Sequence, residues 1–230
     1  MRKSGYSKVS YLGVLAGLVG YFFHATMQSG GSSIPLIAFS VLMVLLFWLL
    51  SVTLEKKPAY QDVFRPLRVD FVLTVLASAA LGAGCVLQFR SGGMLARLIC
   101  VLGLVGALGQ IAAGVFRLRA ETPRAVLMVP AVLFYVCRLF FDFRGWMIDP
   151  AILDYCFSLF ALICFMICTY HAASFSFDHG ARRRLCFYGL GGVFFGAVAL
   201  AGAALPQLLI YGGSIGLCLV FSIQALGNGK

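Results

Sequence analysis

Charge is scarce in this 230-residue chain: charged residues make up 11%, against about 25% in ordinary soluble domains. Acidic residues are scarcest, eight against eighteen Lys and Arg, and only Glu55 and Glu121 are glutamates. There is no paired-glutamate motif, no H-E-x-x-H helix, no G-x-x-x-x-G-K-[ST] loop and no glycine fingerprint between strand and helix. Zinc hydrolysis through that helix motif and ATP-driven chemistry within the chain therefore lack their residues. Long polar stretches, linkers and low-complexity segments are missing too, which leaves no room for a second, soluble domain. Cysteine is plentiful but absent from the loops: Cys85, Cys100, Cys137, Cys156, Cys164, Cys168, Cys186 and Cys218 all fall in apolar segments. That placement excludes a secreted-type disulfide framework.

What the chain has is apolar length. Apolar residues reach 61% and the mean hydropathy is +0.97. Eight apolar segments cover roughly 9–28, 34–54, 71–89, 94–116, 125–143, 151–173, 185–204 and 206–226. Each approaches the ~20 residues that cross ~30 Å of hydrocarbon at 1.5 Å per residue. The sequence thus predicts an all-α protein: a polytopic integral membrane bundle of eight transmembrane helices in one domain, residues 1–230. Arg2, Lys3 and Lys8 before the first apolar run resemble the start of a signal peptide, but the run is long for one, so it reads as a retained helix.

The formal charge of +10 could suggest nucleic acid, but the basic residues sit in short loops beside the spans. There they hold loops on the cytoplasmic side and meet anionic lipid head groups. Fourteen fall in the N-terminus, the second, fourth and sixth loops and the C-terminus; four, Arg90, Arg97, Arg138 and Arg144, fall on the other side. This alternation places both termini in the cytoplasm of a bacterial-type plasma membrane. Within the second loop, Glu55 to Asp70, Tyr60, Val63, Phe64 and Leu67 recur at helical spacing, which suggests a short helix on the inner membrane surface.

Lipid gives helices no hydrophobic reason to associate, so buried faces are marked by small residues. Gly13 and Gly17, Gly103 to Gly109, Gly192 and Gly196, Gly212 and Gly216, and Ser78 with Gly82 mark such faces. The second span, Leu42 to Trp48, is bulky all round and reads as lipid-facing.

Ionisable groups inside spans are costly, about 2.5–3.5 kcal/mol for Arg or Asp on insertion scales, and normally face the bundle. Arg138 lies deep in the fifth span with Asp142 one turn further out on the same face and Tyr135 one turn inward, an i, i+4 ion-pair geometry. Asp149 and Pro150 read as the N-cap and first position of the next helix, and Trp146 as an interfacial anchor. Asp154 enters the sixth span, and its face continues through Ser158. His24, Gln88, Arg97 and Tyr211 fall at comparable depth. These eight residues, Arg138, Asp142, Asp154, His24, Arg97, Gln88, Tyr135 and Tyr211, form the predicted ligand-binding cluster, which reads either as a pocket for a small polar solute or as a structural ion-pair network. The surplus of Arg favours an anionic solute, although Arg97 also reads as snorkelling to the surface. The inner leaflet shows no equal concentration beyond Gln110, Tyr170 and His171.

Two catalytic patterns fail on context. Gly212-Gly213-Ser214-Ile215-Gly216 matches G-x-S-x-G, but that motif needs a strained strand-to-helix turn, and here it lies in an apolar helix with His24 as the candidate base. Cys164, Cys168 and His171 share one side of the sixth span, yet read as packing groups plus an interfacial His rather than a metal site. Asp178-His179-Gly180 reads as a turn. No catalytic residue, metal or cofactor is assigned. The expected partners are the lipid bilayer, a small polar ligand and, in the alternative, a membrane subunit that this chain accompanies; an intramembrane enzyme is the third reading, and nucleic acid is excluded.

Overall fold

The computed structural model of the chain describes residues 5–54, 60–64, 66–119, 121–146, 152–177 and 179–227. All described secondary structure is helical: α1 (Gly5–Gln28), α2 (Ile34–Val52), α3 (Tyr60–Val63), α4 (Arg68–Ser91), α5 (Met94–Leu118), α6 (Val129–Trp146), α7 (Ile152–Ser174), α8 (Arg182–Ala199) and α9 (Leu205–Gly227). Single 3-10 turns precede α6 at Ala125–Leu127 and follow α7 at Phe175–Phe177. Among the described residues, six helices are long and apolar enough to cross a membrane: α2, α4, α5, α6 with its leading turn, α7 and α9. The seventh apolar segment ends earlier than its hydropathy predicts, at Ala199 rather than near 204. Gly202 adopts φ +74°, a conformation that favours glycine and turns the chain there.

Sequence neighbours pack as spatial neighbours. Helices α4 to α9 form a ring closed by contact between α4 and α9; α1 lies along α8 and α9, and α2 lies against α1 and α8. Helix α8 is the hub, with no large apolar side chain exposed, whereas α2 leaves Val41, Leu42, Leu45, Trp48 and Leu49 exposed but buries Met43 and Phe47 of the same stretch. Glycines set the closest crossings. A Cβ at Gly17 would stand 2.8 Å from the Ala197 Cβ, and one at Gly84 would stand 2.8 Å from the Ile210 amide and the Pro206 carbonyl. On α9 the close contact belongs to Gly213, not Gly212: a Cβ at Gly213 would reach within 2.5 Å of the Ala77 carbonyl, while Gly212 has nothing within 4 Å.

Helix α1 begins, and α9 ends, at one end of the bundle, here the terminal end; the turns at Gly30 and Gly202 mark the opposite, hairpin end. At the terminal end the second loop departs from its surface-lying prediction. Tyr60, Val63 and Phe64 are buried, and the Phe64 ring meets Phe175 edge-on at 5.4 Å. Only Leu67 stays exposed. Three aromatic and branched side chains bury more apolar surface inside the helix ends than on the lipid boundary, which explains the inward fold. The predicted cap at Asp149 and Pro150, the Trp146 side chain and Asp178 lie outside the described residues.

Candidate functional site

On α6, Tyr135, Arg138 and Asp142 recur at offsets of three and four, which puts them on one face. Arg138 is 2% exposed. Its Nε donates to Asp142 Oδ2 at 2.7 Å, and its Nη1 donates to Gln88 Oε1 on α4 at 2.5 Å. Charge-assisted bonds of this kind are the strong ones, and a guanidinium buried this deeply needs them. The bond from Arg138 to Gln88 therefore ties α6 to α4. Asp142 is left partly exposed, its other side facing a cavity.

That cavity, about 260 Å³, opens at the hairpin end among α1, α6, α7, α9 and the turn before α9. Its wall is polar: His24, Gln28, Asp142, Tyr155, Ser158, Gln207 and Tyr211, with Ala199 and the Ala201–Ala203 turn completing it. Gly202 is close-packed against the Gln28 side chain, whose Nε2 donates to the Ala201 carbonyl at 3.3 Å. A site of this size falls near the lower end of the 300–1,000 Å³ (roughly) usual for small-molecule pockets.

His24 is the most confined member of the wall, 2% exposed, with its ring 5.6 Å from that of Phe157. Its Nδ1 lies 2.8 Å from the Val198 carbonyl on α8. A carbonyl only accepts, so Nδ1–H donates to it. Nε2 is buried and has no hydrogen-bond partner.

Of the predicted cluster, Arg138, Asp142 and Gln88 are bonded together, while His24, Asp142 and Tyr211 share the cavity. Two members lie elsewhere. Tyr135 points inward, its hydroxyl donating to Ser214 Oγ at 2.9 Å. Arg97 belongs to its own hairpin, with Nε donating to the Gly92 carbonyl at 3.0 Å and its guanidinium over the Phe89 ring. Asp154 sits in α7, its side chain outside the described residues. Gln28, Tyr155 and Gln207 were missed. They lie close to helix ends, where polar residues read as interfacial, and only the Gly202 turn brings Gln28 and Gln207 to one opening.

Ser214 is spent structurally. Its hydroxyl donates to the Ile210 carbonyl at 2.8 Å while its oxygen accepts from Tyr135. His24 Nε2 makes no hydrogen bond to Ser214, so no serine–histidine pair forms among the described residues. Among the described residues, no group of three or more His, Cys, Asp or Glu is placed to hold a metal ion.

The terminal end holds a second polar cluster that the sequence reading placed in cytoplasmic loops. Arg117, the penultimate residue of α5, is 5% exposed, its guanidinium 5.2 Å from the Phe64 ring centre and 4.8 Å from that of Phe221. Among the described residues, none of its three nitrogens makes a well-formed hydrogen bond. Asp70 and Gln224 lie with it around a void of about 10 Å³, and Gln224 Nε2 donates to Asp70 Oδ2 at 3.0 Å. Arg182 is buried as well, its Nε donating to the Ala225 carbonyl at 2.6 Å, and Arg183 Nε donates to the Leu54 carbonyl at 2.5 Å. Tyr60 lies beside Arg117 without a well-formed hydrogen bond, and burial pushes its hydroxyl up to about 12.

No family model, no curated protein and no solved structure matches this chain.

Proposed function

We propose that the chain is one transmembrane domain of eight spans in a bacterial-type plasma membrane, with the terminal end in the cytoplasm, and that it binds or transports a small polar solute through the cavity at the outer, hairpin end. The observation that carries this reading is a wall of seven polar side chains around about 260 Å³ inside a bundle whose outer faces are otherwise apolar. Polar groups at that position are costly unless they serve a ligand or one another.

Counting α1 and α8 as spans rests on their packing. Helix α1 follows α8 from Gly13 beside Leu190 to Gly20 beside Val198, and 18 residues of α8 extend about 27 Å. The charge asymmetry supports the orientation. Cysteines placed at Ser32 or Gly92 are then labelled by an impermeant reagent in intact cells, and cysteines at Gln61 or Gly180 are not. The reverse pattern overturns the orientation.

A structural or accessory subunit is the second reading, favoured by the bonds from Arg138 to Asp142 and Gln88, which brace α6 against α4. Double replacement of Arg138 and Asp142 by leucine separates the two. Under the ligand reading the variant is stable but loses stabilisation by a polar solute in a thermal-shift screen. Under the brace reading stability returns and function is unchanged.

A further inference from the structure

The acceptors in the cavity wall say what its ligand must donate. This inference rests on the reading of the cavity as a ligand site, and deepens it. In its neutral form His24, with Nδ1–H committed to Val198, offers a lone pair at Nε2, and among the described residues that buried nitrogen has no partner. Asp142 offers a carboxylate of which only Oδ2 is taken, by Arg138. Among the described residues no Lys or Arg lines the cavity. Arg138 stands behind Asp142 with its Nε and Nη1 already bonded, so Asp142 is the nearer charge to anything in the cavity.

We infer that the cavity takes a small organic ammonium compound, its N–H groups donated to His24 Nε2 and to the Asp142 carboxylate. An anion would meet a carboxylate and a lone pair at the same wall, leaving buried acceptors unpaired, and this is the arrangement that discriminates most strongly between ligands. A neutral polyol could satisfy the lone pair but would gain nothing from the charge. The hydroxyls of Ser158 and Tyr211 and the Gln207 amide both donate and accept, so they suit a hydroxyl or carbonyl elsewhere on the same molecule. This departs from the anionic preference that the surplus of arginine suggests: Arg97 is held at the Gly92 hairpin, and Arg138, whose Nη2 has no partner among the described residues, does not line the cavity.

The test uses the full chain in lipid nanodiscs and four probes of similar size: ethanolamine, ethylene glycol, glycolate and tetramethylammonium. Binding is measured by calorimetry. Ethanolamine should bind about ten-fold or more tighter than the other three, a difference of about 1.4 kcal/mol. His24→Phe keeps the ring against Phe157 and removes the acceptor; Asp142→Asn keeps an acceptor for Arg138 and removes the charge. Each should weaken ethanolamine about ten-fold; Asp142→Asn should leave ethylene glycol unchanged, whereas His24→Phe, which removes an acceptor that both molecules use, should weaken both. Should Asp142→Asn fail to fold, His24→Phe and the opening variant Gln207→Leu carry the test. Glycolate binding as tightly as ethanolamine overturns the inference, and so does equal binding of ethanolamine and ethylene glycol.

If none of the four probes binds, the inference also fails, and a Ser158→Cys variant shows how much fails with it. Modification of that cysteine by a small thiol reagent, located by peptide mass, leaves an open cavity with a different ligand. A cysteine that resists the reagent removes the cavity reading as well.

Discussion

Arg138 and Arg117 are both buried guanidinium groups near opposite ends of the same bundle, and they are handled in opposite ways. Arg138 is hydrogen-bonded to a carboxylate and an amide, and the carboxylate reaches a cavity of about 260 Å³. Arg117 has no well-formed hydrogen bond among the described residues, two phenyl rings against it and a void of about 10 Å³ beside it, room for one water at most. Geometry that fixes a charge while leaving its partner accessible is what a binding site needs. Aromatic faces around an arginine hold a charge in place and close off space, which suits a seal. The contrast matches a molecule open at the hairpin end and shut at the terminal end. A carrier would have to open the Arg117 cluster, and the contrast can be broken at either arginine.

Removing Arg138 should have the largest effect. Arg138→Ala leaves Asp142 and Gln88 without their shared donor, and breaking a buried ion pair from one side commonly costs about 3–5 kcal/mol. Because Asp142 is 13% exposed and borders the cavity, the lower end of that range is expected. Replacing both Arg138 and Asp142 by leucine should restore much of the loss, since neither charge is then stranded. Thermal melts in detergent measure both. A single variant that melts like the parent would mean that the two charges do not depend on each other, and the hairpin end would lose its distinction.

Arg117→Met should cost less than half as much as Arg138→Ala. The change gives up two cation–aromatic contacts, about 2 kcal/mol each for a desolvated cation, but this is offset by removing a guanidinium that lost its water shell without gaining hydrogen bonds. Asp70 keeps its bond from Gln224. Equal losses at the two arginines would show that Arg117 is hydrogen-bonded in solution, and the seal would then be a polar network like its counterpart.

The unequal legibility of the two ends has the same physical root. Arg138 and Asp142 could be paired from sequence because their spacing is that of one helical turn, a local relation. Six of the apolar runs were legible as helices long enough to cross a membrane for a similar reason: runs near 20 residues match hydrocarbon thickness. Arg117 and Arg182 were not legible. A loop-by-loop count of positive charge treats every basic residue at a helix end as solvated, whereas these two are buried by partners distant in sequence, Phe64 and Phe221 around one and the Ala225 carbonyl on the other. The inward fold of Tyr60, Val63 and Phe64 could not be told from a surface-lying helix, because both use the same apolar spacing. Arg97 fails in the opposite sense. Its depth suggested the cluster, but the Gly92 carbonyl five residues earlier takes its Nε. Gln207 joins the cavity only through the Gly202 turn, and depth along a helix carries no information about turns.

The smallest effect at neutral pH, and the finest probe of the seal, is Tyr60→Phe. The Tyr60 hydroxyl is buried beside Arg117 without a well-formed hydrogen bond, so its removal should change stability by less than about 1 kcal/mol, the usual net worth of a hydrogen bond. In alkali the substitution should matter more. Burial raises the hydroxyl from its ordinary value of 10 to about 12, so between these values the unfolded chain gives up the proton while the folded chain keeps it. Stability contributed by this group is therefore complete below about pH 10 and declines as pH rises through about 12, because the unfolded state binds fewer protons across that window. Tyr60→Phe removes this decline. Melting curves of parent and variant should run together up to about pH 10 and diverge above it, the variant remaining the more stable. Coincident curves across the whole window would mean that Tyr60 ionises freely in the folded chain, so that the second loop does not seal the Arg117 cluster.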